Sequence, residues 1–95
     1  MMNQARKQLV KSAVICNELG LHARSAAMIA ETARPAQSGV WIEKDDRVAD
    51  ATSIMDILTL QCPKGTLVKV RVDDPRDKNI LERIVHAIES GFGEN

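Results

Sequence analysis

Gly20-Leu21-His22-Ala23-Arg24-Ser25-Ala26-Ala27 marks a change of period, where a loop closed by a glycine becomes a helix opened by a histidine. From Ala23 onward, Ala23, Ala26, Ile29, Ala30 and Ala33 fall on one helical face, and Pro35 stops the pattern. The small alanines let such a helix lie close against a sheet. Upstream, Leu9 to Cys16 places Val10, Ser12, Val14 and Cys16 on one parity and Lys11, Ala13 and Ile15 on the other, the alternation of a strand.

Downstream, Gly39-Val40-Trp41-Ile42-Glu43 reads as a second strand, Lys44-Asp45-Asp46 as a polar turn and Arg47 to Asp50 as the returning strand of a hairpin. Ser53 stands three residues before Asp56, the spacing of a capping box, ahead of a short helix carrying Ile54, Met55, Ile57, Leu58 and Leu60. That helix is apolar nearly all round, with Ile57 and Leu60 the better core candidates. Pro63-Lys64-Gly65 ends it. Val68, Val70 and Val72 then alternate with Lys69 and Arg71, the cleanest strand in the chain. Asp74-Pro75 supplies an N-cap and a first-position proline for a last helix whose buried stripe is Ile80, Leu81, Ile84 and Ile88, closed by Gly91. The order βαββαβα predicts an α+β fold, an open-faced β-sandwich whose four-stranded, mainly antiparallel sheet carries three helices on one face.

Ninety-five residues with 44% hydrophobic content suit one domain, 1–95, with its core at about 9–91. Thirteen basic and thirteen acidic side chains cancel, so recognition by charge has to be local. The cations are scattered among acids, and Trp41 and Phe92 are the only aromatics, which argues against a nucleic-acid partner. Met1 to Gln8 has no apolar stretch of a leader, and no run elsewhere approaches bilayer-spanning length, so the expectation is a cytoplasmic protein without stable membrane insertion. Cys16 and Cys62 lie far apart without ligand spacing, which points to reduced thiols and to no bound metal or other cofactor.

The chemistry gathers at His22. With His22 as N-cap, the backbone N–H groups of Ala23, Arg24 and Ser25 have no intrahelical acceptor, and an anion placed there gains their hydrogen bonds and the positive end of the helix dipole. Gly20 permits a close approach or a positive φ, Leu21 anchors the loop in the core, and Arg24 brings a permanent charge suited to phosphate. An ordinary imidazole, with a pKa of about 6.5, offers a neutral nucleophile near neutral pH. Read from the residues alone, His22 is either such a nucleophile or a plain helix cap.

Gly20-Leu21-His22-Ala23-Arg24, Ser53-Ile54-Met55 and the order of elements together resemble the HPr family, the histidine-containing phosphocarriers of the bacterial phosphoenolpyruvate-dependent phosphotransferase system. The resemblance implies a protein, not itself an enzyme, that accepts a phosphoryl group on Nδ1 of His22 from enzyme I and passes it to an EIIA protein or domain in sugar transport. Arg24 would be the site arginine. Ile54, Met55 and Leu58 would form a docking patch for successive partners, against the plainer reading of all three as core. Ser53 falls where some members are phosphorylated by a bifunctional HPr kinase/phosphorylase, against the plainer reading of a helix cap. Asn17-Glu18-Leu19-Gly20 and Ser90-Gly91-Phe92-Gly93-Glu94 also look like the nitrogen-related branch, NPr. The implied molecule is a monomer.

Two departures from the family pattern stand out. Proline is usual where this chain has Ser25, whose extra N–H and hydroxyl are expected to loosen the first turn and to lie near the phosphoryl position. A small residue is common where this chain has Asp56, whose charge would repel a phosphoserine at Ser53. The competing function is a regulatory adaptor whose binding to a transcription factor or enzyme is set by phosphorylation of His22 or Ser53. His86 lies opposite the apolar stripe of its helix and is expected to face solvent without a special role, and Trp41 is expected on the uncovered sheet face, partly covered by its neighbours.

Overall fold

A computed structural model describes residues 7–94; the expectations drawn from Met1 to Arg6, and residue 95 of the single domain, lie outside the described residues. The elements run β1 (Leu9–Val14), α1 (Ala23–Ala33), β2 (Val40–Lys44), β3 (Arg47–Asp50), α2 (Ile54–Thr59), β4 (Leu67–Val72) and α3 (Lys78–Glu89). The strands form one sheet in the order β1-β4-β2-β3, and every pairing is antiparallel.

Register decides which side chains meet. Ala13 pairs with Val68, Val40 with Val72, and Ile42 with both Val70 and Ala49, so one sheet face is a continuous apolar surface. The helices cover it with Ala26, Ile29, Ala30 and Ala33 of α1, Ile57 of α2, and Ile80, Leu81, Ile84, Val85 and Ile88 of α3. Each large aliphatic side chain buried there contributes about 1.5–3 kcal/mol of transfer free energy. The opposite face is open, with Val10, Val14, Val48 and Leu67 exposed on it. Trp41 lies on this open face as expected, with the Arg71 guanidinium 5.5 Å from its ring centre and its Nε1–H donated to Asp73 at 2.9 Å.

Local boundaries differ from the sequence reading in several places; β2, for one, excludes Gly39 and takes in Lys44 from the expected turn. β1 ends at Val14: the Ile15 N–H still bonds the Thr66 carbonyl in register at 2.9 Å, but the Ile15 carbonyl is reached by the Gly65 N–H at 2.7 Å while the Thr66 N–H turns to Pro63, so the ladder breaks before Cys16. Ala23 is exposed: as the first helical residue it precedes the turn that meets the sheet. Asp74 and Pro75 open a 3-10 turn, Pro75–Asp77, rather than α3 itself. There the Asp74 carboxylate accepts the Arg76 N–H at 2.9 Å, and the Asp77 N–H bonds back to the Asp74 carbonyl at the same distance, a three-residue closure that delays the α ladder until Lys78. Asp77, 3% exposed, is thereby free to accept the N–H groups of Gln37 and Ser38 at 2.9 and 3.1 Å, fixing the turn between α1 and β2.

Candidate functional site

The loop from Asn17 to His22 is held against the segment that follows α2. Gly20 has φ +65°, and a Cβ there would overlap the Cys62 carbonyl and come within 2.8 Å of the Pro63 Cα, so both conformation and space require glycine. The next N–H, of Leu21, is donated to the same Cys62 carbonyl at 2.8 Å, and the Leu21 side chain is 9% exposed, the expected anchor. His22 follows in an extended conformation as N-cap of α1, its side chain 30% exposed. The first bond of the ladder runs from the Ala26 N–H to the His22 carbonyl at 2.8 Å, so the amides of Ala23, Arg24 and Ser25 lie ahead of it at the mouth of the helix.

Ser25 acts differently from the sequence expectation. Its hydroxyl is fully buried and belongs to the loop: Oγ accepts the His22 N–H at 3.0 Å and donates to the carbonyl of Gly20 or of His22, each 3.2 Å away. The hydroxyl therefore tightens the first turn instead of loosening it, and it faces the backbone rather than an incoming anion. This is one half of a capping box; the Ser25 N–H approaches the His22 ring as a looser return contact.

Glu94 and Asn17 complete the site, and neither was singled out from the sequence. The His22 Nε2 lies 2.9 Å from Glu94 Oε2, and the exposed Arg24 guanidinium stands 4.0 Å from the same oxygen. The Asn17 side-chain amide donates to the Gly20 carbonyl at 2.8 Å and to Glu94 Oε1 at 3.0 Å, joining the loop to the chain's far end. The Asn17 amide, and then the His22 ring and the Arg24 charge, hold the Glu94 carboxyl below its usual 4.5. Glu94 reaches His22 because Gly91, Phe92 and Gly93 take φ values of 67, 57 and 73° in succession, curling the chain back after α3. Two of these are glycines. At Phe92 the left-handed backbone costs about 1–2 kcal/mol, which burial of its ring, 2% exposed, offsets. The glycine-flanked aromatic was the one local signal of this return.

Around α2, the sequence candidates separate. Met55 is 73% exposed, Ile54 and Leu58 are half-buried against the core, and Ile57 and Leu60 are buried, so the helix serves core and surface together. The Ser53 Oγ accepts the Asp56 N–H at 3.1 Å, a true N-cap, but the reciprocal half of the capping box is absent. The Asp56 carboxylate instead accepts the Asp50 N–H at 2.7 Å, since the short side chain meets β3 before it can reach Ser53. Burial pushes the Cys62 thiol up from its usual value, against the pull of Lys44 and Arg47, while Cys16 is exposed. His86 is exposed on α3, beside Thr32, Glu82, Arg83 and Ala87. Among the described residues, no three His, Cys, Asp or Glu side chains gather to hold a metal ion, and no helix is long and apolar enough to cross a membrane.

Comparison with known proteins agrees with this fold. Residues 9–90 match the family model described as the phosphotransferase-system HPr component phosphorylation site. The phosphocarrier protein HPr of Neisseria meningitidis serogroup A is 34% identical over 86 residues, covering 90% of this chain and 97% of that protein. The phosphocarrier protein NPr of Escherichia coli K12 is 32% identical over 82 residues, covering 85% and 91%. Among solved structures, HPr-C-His from Thermoanaerobacter tengcongensis superposes with a TM-score of 0.82 at 38% identity, covering 92% of this chain and 98% of that one.

Proposed function

Because this chain belongs to the HPr family of phosphocarrier proteins, we propose that His22 is its phosphoryl acceptor, taking the group on Nδ1 from phosphorylated enzyme I and passing it to an EIIA protein or domain. The observation that carries this reading is the placement of the imidazole at the mouth of α1, in front of the amides of Ala23, Arg24 and Ser25. Those N–H groups and the helix dipole receive the phosphoryl oxygens, and the exposed Arg24, only loosely held at 4.0 Å from Glu94, turns to neutralise the dianion. The protein turns over only between partners, so it is a substrate of two enzymes rather than a catalyst.

Met55, projecting from α2, together with the half-buried Ile54 and Leu58, is the docking surface for both partners. Ser53 serves as the cap of that helix, and a phosphoryl group on its Oγ would displace the bond from the Asp56 N–H and stand close to the Asp56 carboxylate. Supply of phosphoryl groups for sugar uptake, in the cytoplasm, is the setting this chemistry suits.

The test is incubation with phosphoenolpyruvate and catalytic enzyme I. An acid-labile phosphoryl group is expected on the wild-type chain and absent from His22→Ala. Failure to label beside a competent control carrier, or equal labelling of His22→Ala, would remove the reading.

A further inference from the structure

We propose that Glu94 is a positioning residue for phosphoryl transfer, holding the His22 hydrogen on Nε2 so that Nδ1 is the nucleophile, and stabilising the positive charge the ring acquires when Nδ1 is phosphorylated. The inference rests on the phosphocarrier reading and goes beyond it to a residue at the other end of the chain.

Glu94 Oε2 is 2.9 Å from Nε2, and its other oxygen is occupied by the Asn17 amide at 3.0 Å. An ionised carboxylate only accepts hydrogen bonds, so the hydrogen in the Nε2 contact belongs to the ring. A neutral imidazole has one such hydrogen, and Nδ1 is then left with its lone pair. The carboxylate is 14% exposed and fixed from two sides, which limits its freedom to release the ring. Its arrangement matches in kind the buried carboxylate that sets the tautomer of a catalytic histidine in serine hydrolases and stabilises the imidazolium formed there.

The transfer balances without moving a proton from His22. The Nδ1 lone pair forms the new N–P bond while the donor's bond to phosphorus breaks, and the donor keeps that bonding pair. His22 becomes an Nδ1-phosphorylated imidazolium, its hydrogen still on Nε2 and its ring charge facing Glu94. In the onward step the N–P pair returns to Nδ1, and the ring leaves as neutral imidazole. Were the Nε2 hydrogen lost to water, the leaving group would be imidazolate, a far poorer one. Glu94 therefore keeps the phosphorylated protein in its reactive form.

Phosphoramidate, a small phosphoryl donor, tests this without any partner protein. Wild type, Glu94→Gln and Glu94→Ala, labelled with 15N in histidine, are phosphorylated and titrated by NMR, with hydrolysis followed in parallel. The protonated ring is expected to persist to a pH about one unit higher in wild type than in either variant, and the faster-hydrolysing form with it. Before phosphorylation, wild type should show a slowly exchanging hydrogen on Nε2 that is lost in Glu94→Ala, with backbone amide spectra otherwise unchanged. Equal midpoints in all three proteins, a hydrogen on Nδ1 in unphosphorylated wild type, or no labelling of His22 overturns the proposal. Failure of enzyme I to phosphorylate the chain would instead overturn the carrier reading, and the phosphoramidate result is independent of it.

Discussion

Removing the Ser25 hydroxyl is expected to weaken the loop that presents His22, and the structure gives the size of the effect. Ser25 Oγ is the acceptor for the His22 N–H at 3.0 Å and shares its own hydrogen between two carbonyls 3.2 Å away, all within a fully buried side chain. In Ser25→Ala the His22 N–H loses its partner, and a lost cap of this kind costs about 1–2 kcal/mol. For a domain of this size that corresponds to a fall in Tm of roughly 5–15 °C. Urea unfolding should show the loss in midpoint with an unchanged slope, because the surface exposed on unfolding is the same. Amide exchange at His22 should accelerate more than at the far end of α1, since the lost bond is local. A destabilisation within about 0.5 kcal/mol, the range of a neutral surface change, together with unaltered exchange at His22, would refute the claim that this hydroxyl ties the turn. Ser25→Pro, the residue usual in relatives, removes the same hydroxyl and should alter transfer rate or phosphohistidine lifetime; unchanged values for both would take any special role from Ser25.

Three further outcomes follow from particular contacts. Gly20→Ala forces a Cβ onto the Cys62 carbonyl at φ +65° and should cost about 2–4 kcal/mol by denaturant unfolding; a wild-type midpoint would show that the loop can move aside. Because the folded Glu94 carboxyl sits below its usual 4.5, its contacts with Asn17 and His22 add stability at and above that pH, and this is lost as pH falls through the lowered folded value. The Glu94 carboxyl 13C shift should accordingly titrate below 4.5, and a midpoint above it would show the latch to be open. In the native protein a thiol reagent should modify exposed Cys16 and spare buried Cys62, whose thiol is raised by burial, with both reacting once the chain is unfolded; equal native reactivity would contradict the packing of Cys62.

The elements were legible in the sequence wherever a two-faced environment imposes a period. Val68, Val70 and Val72 alternate because β4 is central and one face of it is covered, and Ile80, Leu81, Ile84 and Ile88 recur because α3 covers it. His22 and Arg24 were legible for a different reason: they sit side by side in one short motif with Gly20. Glu94 was not, because 72 residues separate it from His22 and only the fold brings the two together. Asn17 is nearer in sequence, yet its role depends on the same closure. Hydrogen-bond partners that rest on a few ångströms of side-chain reach were not legible: Ser25 turns inward to Gly20 and His22 instead of loosening the turn, and Asp56, too short to reach back well to its own cap, finds the Asp50 amide. The entry into α3 shifted for a related reason: Asp74 caps a 3-10 turn first, and Asp77, the N-cap residue of α3, gives its carboxylate to the Gln37 and Ser38 amides instead of to the helix.

Phosphorylation of His22 on Nδ1 can be read from 15N–31P coupling in the uniformly 15N-labelled chain after treatment with enzyme I and phosphoenolpyruvate. A phosphorus coupled to Nδ1 of His22 is expected, with the ring hydrogen retained on Nε2 opposite Glu94. Phosphorus on Nε2, on His86 or on Ser53 would contradict it.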